Sequence, residues 1–300
     1  MIDPSPRWEF TARYSLTKRF GHVRLLPDRV IGQWFSLDRS TGRRIWERLF
    51  LRPETVVGVS ERVVVASGEF GVYGICSDTG HLLWTSHGAG LWGTFVRLLD
   101  FVPYFKNELA DTPHHVEGGE CVCLSGRVID VRTGTTLRRI PRDQVRRMEG
   151  APLLPDIWVG DGARLSFRSG DGPNHQVRGK LRLRMLRDDG LTAWEFDIAS
   201  TGRHLQSYRY APPSGARRPF VYFVVSDEPN TSRHPTQRHV ALPHRTAYHL
   251  LTLDVTDGEI VQDILLGEAD RESRIEDGDE TGLLVSADGK QLRYFDRTPA

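Results

Sequence analysis

Four histidines, His234, His239, His244 and His249, stand at five-residue steps between Asp227 and the strand-like run that follows Tyr248. Imidazoles are the commonest ligands of transition metals, so the series invites a metal site. A step of five, however, matches neither one face of a helix nor one face of a strand. Pro229, Pro235 and Pro243 interrupt the same stretch, so a polar loop is expected and no metal is assigned. Cys121 and Cys123 alternate in an apolar run, which puts both thiols on one strand face. No further Cys or His falls at zinc-site spacing, so the pair is expected as small buried hydrophobes. With Cys76 there are only 3 cysteines, too few for a disulfide framework. Glu276-Asp277-Gly278-Asp279-Glu280 gathers carboxylates that suit Ca²⁺, but the ordered ligand pattern of an EF-hand is missing. A solvated turn before a strand at Leu283 is expected instead. Neither a nucleophile elbow, a P-loop, a dinucleotide glycine pattern nor HExxH is present. No catalytic residue, cofactor or metal is therefore assigned.

Charge balance excludes a second set of partners. Forty basic residues face 39 acidic ones, for a net charge of +1. Of the basic residues only Lys18, Lys106, Lys180 and Lys290 are lysines. Arginine forks match phosphate oxygens, but these arginines run along the whole chain without a basic stripe, as a GC-rich bacterial genome would encode them. No nucleic acid is expected as a partner. The opening Met1-Ile2-Asp3-Pro4-Ser5-Pro6-Arg7-Trp8 lacks a basic n-region and an apolar h-region. No apolar stretch reaches the roughly 18 to 20 residues of a membrane span. A cytoplasmic protein with no transmembrane segment is expected.

The elements that would position any site show as an internal repeat. Trp8, Trp46 and Trp84 are spaced by 38 residues, twice, and Ala193-Trp194-Glu195-Phe196 adds a fourth copy. In Asp38-Arg39-Ser40-Thr41-Gly42, Ser77-Asp78-Thr79-Gly80 and Asp188-Asp189-Gly190 a turn ends on a glycine four residues before Trp46, Trp84 and Trp194. Asp130-Val131-Arg132-Thr133-Gly134, Asp254-Val255-Thr256-Asp257-Gly258 and Asp288-Gly289 keep the turn and lose the tryptophan. The aspartate side chain bonds its own downstream backbone, and the glycine supplies positive φ. An apolar strand runs into the turn and a second strand is expected to carry an apolar residue and the Trp inward, which is a β-hairpin signal. One hairpin cannot bury both faces, so the repeats must stack.

This unit resembles the quinoprotein-like propeller repeat, also called the PQQ-like repeat, most closely over Leu37–Trp46 and Ile75–Trp84. The resemblance implies an all-β fold, a β-propeller of six four-stranded blades counted from the six turns. Trp8 has no turn before it and is expected in a strand that completes the last blade, beside Gln291–Asp296. The 68 residues between Gly190 and Gly258 leave room for a seventh blade, for which Ser200-Thr201-Gly202 would be the turn. One domain over residues 1–300 is expected, with insertions at about 89–118 and 227–248.

The gap from Gly80 to Gly134 spans 54 residues and holds the most apolar stretch of the chain. Trp92, Phe95, Val96, Leu99 and Val102 fall at helical spacing, and Pro103 would end such a helix. Loops of repeat proteins carry function. Leu91, Trp92, Phe95, Leu99, Phe101, Tyr104 and Phe105 are accordingly the candidate partner-binding residues. A membrane partner fits less well, since only Arg97 and Lys106 are basic nearby. The expected function is a non-catalytic interaction or scaffolding propeller that docks a protein through rim loops. The alternative is a propeller enzyme, a metal-dependent lactonase-like hydrolase or a quinoprotein-type oxidoreductase. Quinoprotein dehydrogenases of this fold use a vicinal Cys-Cys and an export signal, and this sequence has neither.

Overall fold

A computed structural model describes residues 1–12, 23–32, 35–48, 53–68, 71–86, 113–141, 144–145, 157–158, 164–169, 181–211, 218–228, 245–269, 273–287 and 291–298. The chain divides into two compact units, residues 18–150 and residues 151–300 joined by 1–17. The first strand, β1 (Trp8–Thr11), belongs with the second unit.

The unit of residues 18–150 holds three four-stranded antiparallel sheets, each a meander in chain order. They are β2 (Arg24–Leu25) to β5 (Arg44–Glu47), β6 (Pro53–Ser60) to β9 (Leu82–Ser86), and β10 (Pro113–Glu117) to β13 (Thr136–Arg139). Their inner members are β3 (Arg29–Ile31), β4 (Phe35–Asp38), β7 (Val63–Gly68), β8 (Gly71–Cys76), β11 (Glu120–Cys123) and β12 (Arg127–Asp130). The run Val63-Val64-Val65-Ala66 of β7 is apolar without alternation because both faces are covered. Side chains two apart share a face. Val63 and Val65 pack with Cys121, Cys123 and Ile129 of the β10–β13 sheet. Val64 and Ala66 pack with Ile31 of the β2–β5 sheet. The β6–β9 sheet is thus a blade sandwiched by the sheets before and after it.

The second unit repeats the scheme. Its strands are β14 (Ile157–Trp158), β15 (Arg164–Ser169), β16 (Leu181–Leu186) and β17 (Thr192–Asp197), then β18 (His204–Ala211), β19 (Phe220–Ser226), β20 (Thr246–Asp254) and β21 (Ile260–Ala269). The last sheet has β22 (Arg274–Gly278), β23 (Gly282–Ala287) and β24 (Gln291–Asp296), with β1 as its fourth strand. β19 divides its side chains as β7 does. Val221, Phe223 and Val225 pack on Leu165 and Leu183, while Phe220, Tyr222 and Val224 pack on Leu283 and Val285.

The fold is all-β, six four-stranded antiparallel sheets of the propeller-blade type among the described residues. β1 completes the last of them as expected, pairing Trp8 with Tyr294 and Thr11 with Gln291. Trp8 also stacks on the Tyr294 ring at 5.5 Å. No seventh sheet occurs among the described residues. Ser200-Thr201-Gly202 instead ends a short 3-10 helix, Ile198–Thr201, where Asp197 caps the start and Gly202 takes φ 71° at the end. No helix of the described residues is long and apolar enough to cross a membrane.

Candidate protein-docking surface

The turn that joins the third and fourth strand of the first five blades organises this surface; in the last sheet Asp288-Gly289 falls between β23 and β24 instead. In the first blade Asp38 Oδ1 accepts the Thr41 amide at 2.8 Å and the Thr41 hydroxyl at 2.8 Å. Asp130 and Asp254 accept amides at 2.8 Å in the same way. The Ser40 and Thr41 hydroxyls hold the Asp38 carboxyl below the usual carboxylate range. The Thr133 amide, followed by its hydroxyl, does so for Asp130. In the second blade this position is Cys76, two residues before Asp78, since the Gly80 amide bonds the Cys76 carbonyl at 2.8 Å. Burial pushes the Cys76 thiol up, but the Thr79 hydroxyl and the Asp78 and Thr79 amides outweigh it and lower its pKa.

Three tryptophans of the repeat latch onto the next turn. The indole N–H of Trp46 donates to Ser77 O at 2.7 Å, Trp84 to Val131 O at 2.8 Å and Trp194 to Val255 O at 3.1 Å. All three acceptors lie three residues before a turn glycine. The rings lie against those glycines: a Cβ on Gly80, Gly134 or Gly258 would come within 2.5–2.7 Å of the indole carbons. So the glycine is needed twice, for its φ near +70° and for the space that the ring fills. Trp46 is buried, whereas Trp84 and Trp194 are half-buried. Arg29 adds to the first latch, donating to Ser77 O at 3.2 Å and to Asp78 at 2.5 Å. Asp28 and Asp78 together push the Arg29 pKa further up.

Just before each latch the ladder carries a β-bulge. Registers run Trp46 to Ser36 then Arg44 to Leu37, and Trp84 to Gly74 then Leu82 to Ile75, skipping Ile45 and Leu83. The same slip skips Leu137, Ala193 and Val261. A bulge places two residues opposite one and re-aims a side chain. Here it turns the residue before the latch position outward. Ile45, Leu83, Leu137 and Val261 are 45%, 50%, 49% and 40% exposed. Ala193 is exposed as well. The outer strands of five blades therefore each present an apolar knob, widened by Leu82 and Ile260 beside two of them. Apolar side chains held out of the core at a fixed place are what a protein partner can bury. This corrects the expectation that the apolar residue beside the Trp points inward with it. The signal was an apolar residue three positions after the turn glycine, next to the Trp, which strict alternation would have sent to the same side as polar neighbours.

The seven partner-binding candidates, Leu91, Trp92, Phe95, Leu99, Phe101, Tyr104 and Phe105, lie in residues 87–112, outside the described residues, as does the helix expected there. So do His234, His239 and His244. His249 is in β20 and not in a loop. Its Nδ1 lies 2.8 Å from Asp263 and its Nε2 3.7 Å from Asp227, and Arg203 binds both carboxylates. Burial raises the Asp263 carboxyl, and Arg203 and His249 more than reverse it. Cys121 and Cys123 are buried on one face, packed with β7. The acidic cluster corrects the expectation of a turn over its whole length. Glu276 and Asp277 sit in β22, paired with Arg274 and Arg209 at 2.7 and 2.9 Å. Only the part from Asp279 turns, its carboxylate accepting the Thr281 amide at 2.9 Å. Among the described residues no three His, Cys, Asp or Glu side chains are placed to hold a metal ion.

No family model matches the chain, and no curated protein does. Solved structures give remote likenesses. BamB from Moraxella catarrhalis is 10% identical with a TM-score of 0.34, over 99% of this chain and 100% of that one. The WD40 domain of SCAP from fission yeast is 8% identical with a TM-score of 0.41, over 99% and 98%. The β-propeller domain of Cps50 (Swd1) from Myceliophteria thermophila is 11% identical with a TM-score of 0.37, over 97% and 100%. At these values the fold class rests on the six sheets of this chain.

Proposed function

We propose that the chain is a non-catalytic interaction module, a cytoplasmic propeller of the quinoprotein-like repeat type that works as one domain and docks a protein partner. The partner is held by the apolar knobs of the outer strands and by the segment Leu91–Phe105 that follows β9. The observation that carries this reading is the bulge, which recurs in five blades and sets an apolar residue in solvent each time. Chance exposure scatters hydrophobes singly; here one position of the repeat does it. Membership of the quinoprotein-like group is supported by the turn, the latch and the glycine under the ring, which act together as one repeated unit.

The test uses three baits in quantitative affinity capture: the wild type, the triple variant Ile45→Ser, Leu83→Ser, Leu137→Ser, and the double variant Trp92→Ser, Phe95→Ser. The triple variant touches only half-exposed side chains and should melt within a degree or two of wild type, since surface changes are usually within about 0.5 kcal/mol. A protein enriched by wild type and lost by both variants supports the reading. Equal capture by all three baits, at equal melting temperature, would refute it.

A further inference from the structure

Arg297 follows β24 and is only 3% exposed. Its amide donates to Thr281 O at 2.9 Å, and its backbone forms a bridge with Ile2, so its place is fixed. The guanidinium is poorly served. Nη1 and Nη2 reach only two carbonyls, those of Asp279 at 3.4 Å and Arg218 at 3.3 Å. Its Nε is buried with no hydrogen-bond partner. Among the described residues no carboxylate pairs with it. Asp254 pairs with Arg218 at 3.2 Å and Asp277 with Arg209 at 2.9 Å. The Tyr210 hydroxyl, on β18, is also buried and without a partner. The Arg297 charge reaches that ring: burial raises the Tyr210 pKa and the guanidinium pulls against it.

An arginine cannot shed its proton. A buried charge without a counter-charge is strongly unfavourable and is found paired or holding an ion. A buried, unpartnered Nε on a cation that no carboxylate pairs with among the described residues calls for an acceptor with a negative charge, and the Tyr210 hydroxyl is a second buried donor without a partner. We propose that Arg297 and Tyr210 line an internal site for a small monoanion of halide or carboxylate size. The Nε–H and the phenolic O–H donate to it, and the two carbonyl contacts keep the guanidinium turned toward it. Its burial makes the ion part of the folded unit. The site stands apart from the docking surface and does not depend on it.

The experiment is thermal melting of the full chain at constant pH and ionic strength while chloride, formate, acetate or phosphate replaces a bulky anion. Constant ionic strength removes general screening. A ligand bound only by the native state raises the melting temperature with its concentration, roughly 5 °C near saturation. The expected result is a rise with chloride or formate, a smaller one with acetate and none with phosphate. Arg297→Met should abolish the dependence and Tyr210→Phe should weaken it. A wild type with no anion dependence, or an Arg297→Met variant with the wild-type dependence, overturns the proposal. Should Arg297→Met fail to fold, bromide-soaked wild-type crystals decide it: an anomalous peak beside Nε supports the site, and its absence there rejects it.

Discussion

Replacing Trp46 with alanine tests the latch that joins blade to blade. Trp46 is 6% exposed, so nearly the whole ring leaves water on folding. A tryptophan buries about 150–250 Å², and at about 25 cal/mol per Å² this amounts to about 4–6 kcal/mol as an upper bound. Partial collapse around the gap brings the expected cost of Trp46→Ala to about 3–5 kcal/mol. Trp46→Phe keeps most of the area and removes the bond from the indole N–H to Ser77 O. That carbonyl still receives Arg29 Nη1 at 3.2 Å, so it is not orphaned. The phenylalanine variant should then cost only about 1–2 kcal/mol. Half-buried Trp84 and Trp194 should cost less than Trp46 when truncated. The assay is urea unfolding followed by far-ultraviolet circular dichroism, because fluorescence would lose its reporter with the ring. An alanine variant within about 1 kcal/mol of wild type, with an unchanged denaturant slope, would refute the reasoning.

Three further outcomes are expected. Deleting residues 1–11 removes β1, the Trp8–Tyr294 stack and the buried Ile2, so the melting temperature should fall by several degrees in calorimetry; an unchanged value would show that β1 is dispensable. Gly190→Ala should cost only the positive-φ penalty of about 1–2 kcal/mol, since no atom lies within 4 Å of its added Cβ. Gly134→Ala should cost clearly more, because its Cβ would meet the Trp84 ring at 2.6 Å; equal losses would disprove the double role of the latch glycines. The third concerns acid. Asp38 and Asp130 have lowered folded pKa values, so they contribute stability above the unfolded value of about 3.9 and lose it as pH falls through the folded value. Asp38→Asn should therefore be less stable than wild type at neutral pH, with the gap narrowing below about pH 4; a constant gap across an acid titration would contradict the turn chemistry.

The blades were legible because their signals are local. An apolar strand, a turn glycine and a Trp four residues beyond it specify a hairpin by local chemistry, and the register found at Trp46, Trp84 and Trp194 follows from it. Trp8 as the missing fourth strand was legible because a repeat leaves an unmatched copy. Less could be read where the decision is non-local. Cys76 replaces the capping aspartate, which spacing concealed because Asp78 stands two residues away. The knobs at Ile45, Leu83, Leu137 and Val261 depend on a bulge, and a bulge is a property of two strands. Arg297 looks like one arginine among many in sequence, and its isolation shows only once Asp254 and Asp277 are seen paired with other arginines. His249 was read with three loop histidines by spacing, while pairing places it on β20 opposite Leu265.

The claim that this protein works by docking another is tested most directly by hydrogen–deuterium exchange on the captured complex against the free chain. The account predicts slowed exchange in peptides that cover Leu82–Ser86 and Leu91–Phe105, with little change in β22–β24, whose sheet has no bulge on its outer strand. Protection confined to β22–β24, or none in either of the first two segments, would contradict it.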